Sequence, residues 1–96
     1  MKVLHNVETS LTTANGSKAK YSDLILNTVD YAPSGLPYAE QRKRNRLAAA
    51  VEDSKGKEEI QFEDEDISTL KSCSENCVWS KRSVEIQAFV EAVLAL

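Results

Sequence analysis

Ninety-six residues with fifteen acids, twelve bases and a net charge of −3 describe one small domain with no strong overall field. An apolar fraction of 42% against 28% charged residues excludes a disordered chain, and no apolar run reaches the roughly 18–20 residues that a membrane span needs. The glycines are only Gly16, Gly35 and Gly56, so no phosphate-cradling loop, dinucleotide fingerprint or nucleophile elbow can be drawn, and neither catalysis nor a cofactor is expected.

Residues 2–13 alternate, with Val3, His5, Val7, Thr9 and Leu11 on one face and Asn6, Glu8, Ser10 and Thr12 on the other. A period of two with many β-branched residues predicts a half-buried strand. Asn15-Gly16 then predicts a type I′ hairpin, whose two central residues both need positive φ, with a return strand over 17–21.

Ser22 or Asp23 can cap a helix running from 23 to about 31, with Leu24, Ile25, Thr28 and Val29 as its buried stripe. The β-branched content leaves a strand as the alternative. Pro37 suits a first helical turn, and good helix formers continue to Ser54 before Gly56 closes the segment. The expected stripe there is Leu36, Ala39 or Glu40, the alkyl stem of Lys43, Leu47, Ala50 and Val51, with Glu40 and Arg44 as an i,i+4 pair.

Lys57 to Glu63 alternates again, with Ile60 and Phe62 inward, and predicts a third strand added to the hairpin. Glu63-Asp64-Glu65-Asp66 opens a helix to about Val78, its acids complementing the helix dipole, with Ile67, Leu70, Cys73 or Ser74, and Cys77 as its seam. A last helix over about 83–95 places Ile86, Phe89, Val90 and Val93 at helical spacing. The expected fold is α+β, one domain over 1–96 in which a small antiparallel sheet, the N-terminal hairpin plus one later strand, packs against three or four helices.

Charge is segregated along this chain. Four of the five residues from Arg42 to Arg46 are basic, while Glu52 to Asp66 holds eight acids against Lys55 and Lys57. On a helix the cations cannot share one face: Arg42 and Arg46 align, Lys43 points inward or to the edge, and Arg44 lies elsewhere. Three roles are open to them: pairing with the chain's own acids, steering an acidic protein partner through Arg42, Arg44 and Arg46, or contacting nucleic-acid phosphates together with Lys43. A sequence pI of about 5.1 weighs against nucleic acid.

The acidic run 63–66 lacks the glycine and distal glutamate of a calcium loop. Cys73 and Cys77 are four apart rather than the three of a C-x2-C pair, and His5 is the only histidine. Buried free thiols are therefore expected in place of a zinc or redox site, and a metal enzyme built on Cys73, Cys77 and His5 is the weakest of the functional readings. The C-terminal helix has apolar residues on more than one stripe. Either it lies centrally in the core, or Phe89, Val93 and Leu96 form an anchor for a partner or a second copy.

The segment Gln41-Arg42-Lys43-Arg44-Asn45-Arg46-Leu47-Ala48, with Phe62-Glu63-Asp64-Glu65-Asp66, Leu70, Val78-Trp79 and Phe89-Val90, resembles small accessory proteins of tailed phages. That resemblance spans roughly half the chain and implies a viral or mobile-element origin, but no reaction and no site residues. The expected function is a non-enzymatic protein-interaction, assembly or regulatory module with a protein partner, which could be a second copy of itself. A small nucleic-acid-binding regulator using residues 41–46 is the alternative. With no signal-peptide core near the first residues and no dense disulfide framework, a cytoplasmic setting is expected, the host cytoplasm for a phage protein.

Overall fold

The computed structural model describes residues 1–96. Eight elements follow in order: β1 (Lys2–His5), β2 (Glu8–Thr12), β3 (Lys18–Lys20), α1 (Tyr21–Asp30), α2 (Tyr38–Asp53), β4 (Glu59–Phe62), α3 (Asp64–Asn76) and α4 (Val84–Leu94). The α+β class expected from the sequence is what forms.

The expected single sheet is instead two antiparallel ribbons, β1 with β4 and β2 with β3. The long N-terminal strand breaks at Asn6-Val7, where the Val7 N–H donates back to the His5 carbonyl at 3.1 Å in a three-residue turn. Asn6 fixes this corner from both sides. Its backbone N–H donates to Glu58 O at 2.8 Å, and its Oδ1 accepts from the Ser22 N–H at 2.9 Å. The turn also switches the buried face. Leu4 is buried in β1 and Thr9 in β2, while Val3 and Val7 are 42% and 46% exposed, contrary to an unbroken alternation. Ile60 of β4 lies opposite Leu4, so the third strand joins β1 and not the hairpin.

The hairpin turn also differs from expectation. Only Gly16 takes a positive φ, 84°, and Asn15 does not, so no type I′ turn forms. The Gly16 N–H donates to Thr13 O at 3.0 Å and the Thr13 N–H to Ser17 O at 2.8 Å, which makes a three-residue loop with glycine in its left-handed position.

β3 runs into α1 without a break. Asp23, expected as a cap or first residue, sits in the first turn and accepts the Lys20 N–H at 2.9 Å. Ser22 caps nothing and is itself buried. The stripe Leu24, Ile25, Thr28 and Val29 is buried as expected.

In α2 the inward face is rotated from the expected one. Leu47 and Val51 are buried, and the line through them continues to Arg44 and Glu40, both half-buried, while Lys43 is exposed. α3 ends at Asn76, two residues early, with Cys77 as its C-cap. α1 packs on α2 and α3, α4 packs on α3, and β4 lies against α2. Ile25, Leu47, Ile60, Phe62, Leu70, Phe89 and Val93 meet at the centre.

Candidate interaction surface

The basic run of α2 is divided three ways by its neighbours. Arg44 turns inward: its Nη1 donates to Tyr31 O at 2.7 Å and to Val29 O at 3.0 Å, at the C-terminal end of α1. That helix has no basic residue in its last turn, so a guanidinium from the next helix supplies the positive charge that the carbonyl end favours. Arg46 turns to the start of α3, where it pairs with Glu65 and sets its Nε 3.3 Å from Asp66 Oδ1. The hydrogen bond with Glu65 and the field of Asp66 push the Arg46 pKa further up, so it remains a cation bound to its own chain's acids.

Arg42 makes no ion pair or hydrogen bond within the chain, and Lys43 reaches only Glu40 at 3.8 Å. With Ala39 and Arg46 they line a shallow cationic hollow of about 260 Å³. Tyr38, one helical turn before Arg42, is 76% exposed. Of the three arginines expected to steer a partner, Arg42 is left free, Arg46 is shared with acids, and Arg44 is committed to the fold.

The apolar anchor expected on the last helix is also redistributed. Phe89 and Val93 are fully buried, with Phe89 stacked edge-on between Tyr21 (centroids 5.2 Å apart) and Trp79 (6.2 Å). They are core residues and present no surface to another molecule. Leu96 is half-buried against the same core. The neighbouring stripe of α4 faces outward instead: the N-cap Ser83, the pair Ile86-Gln87 and the pair Val90-Glu91 recur about every turn, and all border an open groove of about 480 Å³.

Across the groove lie Ser74 and Cys77 from the end of α3, and the loop to α4 contributes Trp79, Lys81 and Arg82. Ser83 fixes the loop's end by accepting the N–H groups of Glu85 (3.2 Å) and Ile86 (3.3 Å), an N-cap that starts α4 at a defined angle. Ser74 Oγ is buried and has no hydrogen-bond partner. Val78 and Val84, which bracket the loop in sequence, are 70% and 80% exposed. Lys81 and Arg82 make no ion pair within the chain, and the Glu91 carboxylate accepts only from Gln87 Nε2, at 2.9 Å.

The remaining sequence candidates lie apart from this surface or inside the fold. Cys73 and Cys77 are buried free thiols, and burial pushes both thiol pKa values up. Cys77 Sγ stands 4.0 Å from Asn27 Nδ2. His5 is exposed on β1, its Nδ1 3.9 Å from Glu59 of the paired strand. No three His, Cys, Asp or Glu side chains gather as a metal site would require, and no helix is long and apolar enough to cross a membrane.

Sequence reasoning missed the groove stripe of Ile86 and Val90 and the loop cations Lys81 and Arg82. Its one available signal was the breadth of apolar residues on the last helix, which told of two stripes and not which would face out. Comparison with protein-family models, curated proteins and solved structures gives no match.

Proposed function

We propose that this chain is a non-enzymatic protein-interaction module whose contact surface is the groove between α3 and α4, with the loop that joins them. One observation carries this reading. In a domain small enough to need its apolar residues for its own core, Ile86, Val90 and the half-buried Trp79 border an open groove, and Val78 and Val84, next in sequence to the lining residues Trp79 and Ser83, stand exposed. Contiguous apolar surface edged by charge is the usual composition of a protein contact. A small ligand filling the groove would leave both valines, which do not border it, in water, whereas a protein partner is large enough to extend beyond the groove. Arg42 and Lys43, away from the groove, would act on the rate of encounter more than on affinity.

The test is a paired substitution. Val90→Glu charges the groove at a half-buried site, and Arg42→Glu reverses the free cation. A partner isolated with the native chain should be lost with Val90→Glu and bind more slowly, with little change in final affinity, to Arg42→Glu. Retention by Val90→Glu would move the contact off the groove.

The alternative, nucleic-acid binding by α2, draws on exposed Tyr38 beside Arg42 and the cationic hollow. It is weakened by the engagement of Arg44 and Arg46 within the chain. Binding to a random-sequence oligonucleotide that falls steeply with salt would favour it, and no mobility shift at low salt would remove it.

A further inference from the structure

We infer that the occupant of the α3–α4 groove is a second copy of this chain, docked by antiparallel pairing of two α4 helices about a two-fold axis. This assignment rests on the groove being the chain's contact surface, and adds to that reading what fills it.

The charges that border the groove favour self-pairing over a partner of one sign. Two cations, Lys81 and Arg82, precede α4, and an acid, Glu91, borders the same groove further along it. Glu91 lies seven positions, about 10 Å at the helical rise, beyond Val84, the first residue of the helix. A surface with opposite charges at its two ends is complementary to itself when turned over by a two-fold rotation, which is the requirement of an isologous contact. Glu75, also on the border, brings the titratable groups there to two cations and two acids, so the groove has no net charge with which to select an acidic or a basic ligand.

The apolar residues obey the same symmetry. With the axis level with position 88, on the Ile86–Val90 side of the helix, Ile86 of one copy faces Val90 of the other, and the reverse contact is made at the same time. Position 85 is then level with the partner's Glu91, and Arg82 stands about one turn further along, within reach of its long side chain, a pairing that recurs on the other side of the axis. Val84, 80% exposed, and Ala88, also exposed, lie two positions from Ile86 and so on the far side of the same helix, outside this contact.

With one helix and one loop from each copy, the contact falls at the small end of the roughly 1,200–2,000 Å² that specific interfaces bury. The dimer is therefore expected to dissociate on dilution.

A charge-swap experiment on the full chain tests this. Sedimentation equilibrium should show a concentration-dependent dimer for the native chain. Lys81→Glu with Arg82→Glu, and separately Glu91→Lys, place like charges together twice across the axis, and each should weaken self-association at least about 10-fold. Mixed in equal amounts, the two variants should form a heterodimer of near-native affinity, because each now supplies what the other lacks. These sites are on the surface, and an unchanged thermal melt confirms that each variant is folded.

A native chain that stays monomeric at all concentrations would overturn the inference, as would a dimer indifferent to both variants or single variants whose mixture does not associate. A monomer that still loses a different protein partner on Val90→Glu would keep the groove as the contact surface and reject only the second copy. A monomer whose partner is unaffected by Val90→Glu would reject both.

Discussion

Arg44 donates its Nη1 to the carbonyl oxygen of Tyr31 at 2.7 Å, so a residue in the middle of the most basic stretch of the chain closes the end of a neighbouring helix. The same nitrogen reaches Val29 O at 3.0 Å, and Glu40, one turn earlier on α2, lies 3.7 Å from Nε. The last is too long for a hydrogen bond, and Nε has no partner of its own. The two carbonyl contacts hold α1 and α2 together where α1 has no other cation.

Replacing Arg44 by Ala should therefore destabilise the fold, by about 1–3 kcal/mol for charge-assisted hydrogen bonds at a largely buried helix end. Arg44→Lys should recover only part of this, since the lysine side chain is shorter and its more strongly hydrated ammonium costs more to bury. Denaturant melts of the two variants, with Arg42→Ala as an exposed control expected within about 0.5 kcal/mol of the native chain, check the order.

Ser74 should behave in the opposite way. Its hydroxyl is buried and makes no hydrogen bond, so the native state bears a desolvation cost without compensation. Ser74→Ala is expected to leave stability unchanged or raise it by about 1 kcal/mol, read as a shift of the denaturation midpoint at constant m-value. A loss of stability would mean that the hydroxyl has a partner in solution.

Glu85 joins the first turn of α4 to the outer side of β2: its carboxylate accepts the Ser10 N–H at 2.9 Å and also the Ser10 hydroxyl. The hydroxyl bond first, and then the backbone bond, hold the Glu85 pKa below its ordinary value of 4.5. A depressed folded-state pKa stabilises the native chain above the unfolded value and is lost as pH falls through the folded one. Stability measured from neutral pH downward should drop below about pH 4.5, and Glu85→Gln should make that drop shallower. An identical acid limb in the variant would show that the contact contributes nothing.

Cys73 and Cys77 should resist alkylation in the native chain. Burial is the main cause of both raised pKa values, with Glu40 adding to the first and the neighbouring thiol to the second, against Arg44, which lowers Cys73. Thiolate is therefore scarce near neutral pH as well as inaccessible. Labelling should be roughly 10²-fold slower than for a free thiol, or slower still, corresponding to an opening free energy of about 3 kcal/mol. Two equivalents should react at once in denaturant.

Much of the fold was legible because local pattern and tertiary environment agree. The stripe 24, 25, 28 and 29, the inward pair Ile60 and Phe62, and the seam 67, 70 and 73 are all buried as their spacing predicts. The unbroken N-terminal strand misled because a period of two continues through Asn6-Val7, while side-chain and backbone bonds from Ser22 and Glu58, remote in sequence, turn the chain there. On α2, helical spacing favoured Lys43 as the inward residue, and it is Arg44 that turns in. The choice was made by two carbonyls at the end of α1, both of which accept from Arg44 Nη1. On α4, two adjacent apolar stripes competed for the core, and the aromatic contacts of Phe89 with Tyr21 and Trp79 decided which was taken. A single segment contains none of these remote partners.

The groove between α3 and α4 as the surface of contact is tested most directly by backbone amide spectra of the labelled chain, dilute and concentrated. Shifts that grow with concentration and map to Val78–Glu91 and to the Ser74–Cys77 end of α3 are predicted. Shifts centred on Arg42 and Lys43, or spectra that do not change with concentration, would contradict a self-docking groove.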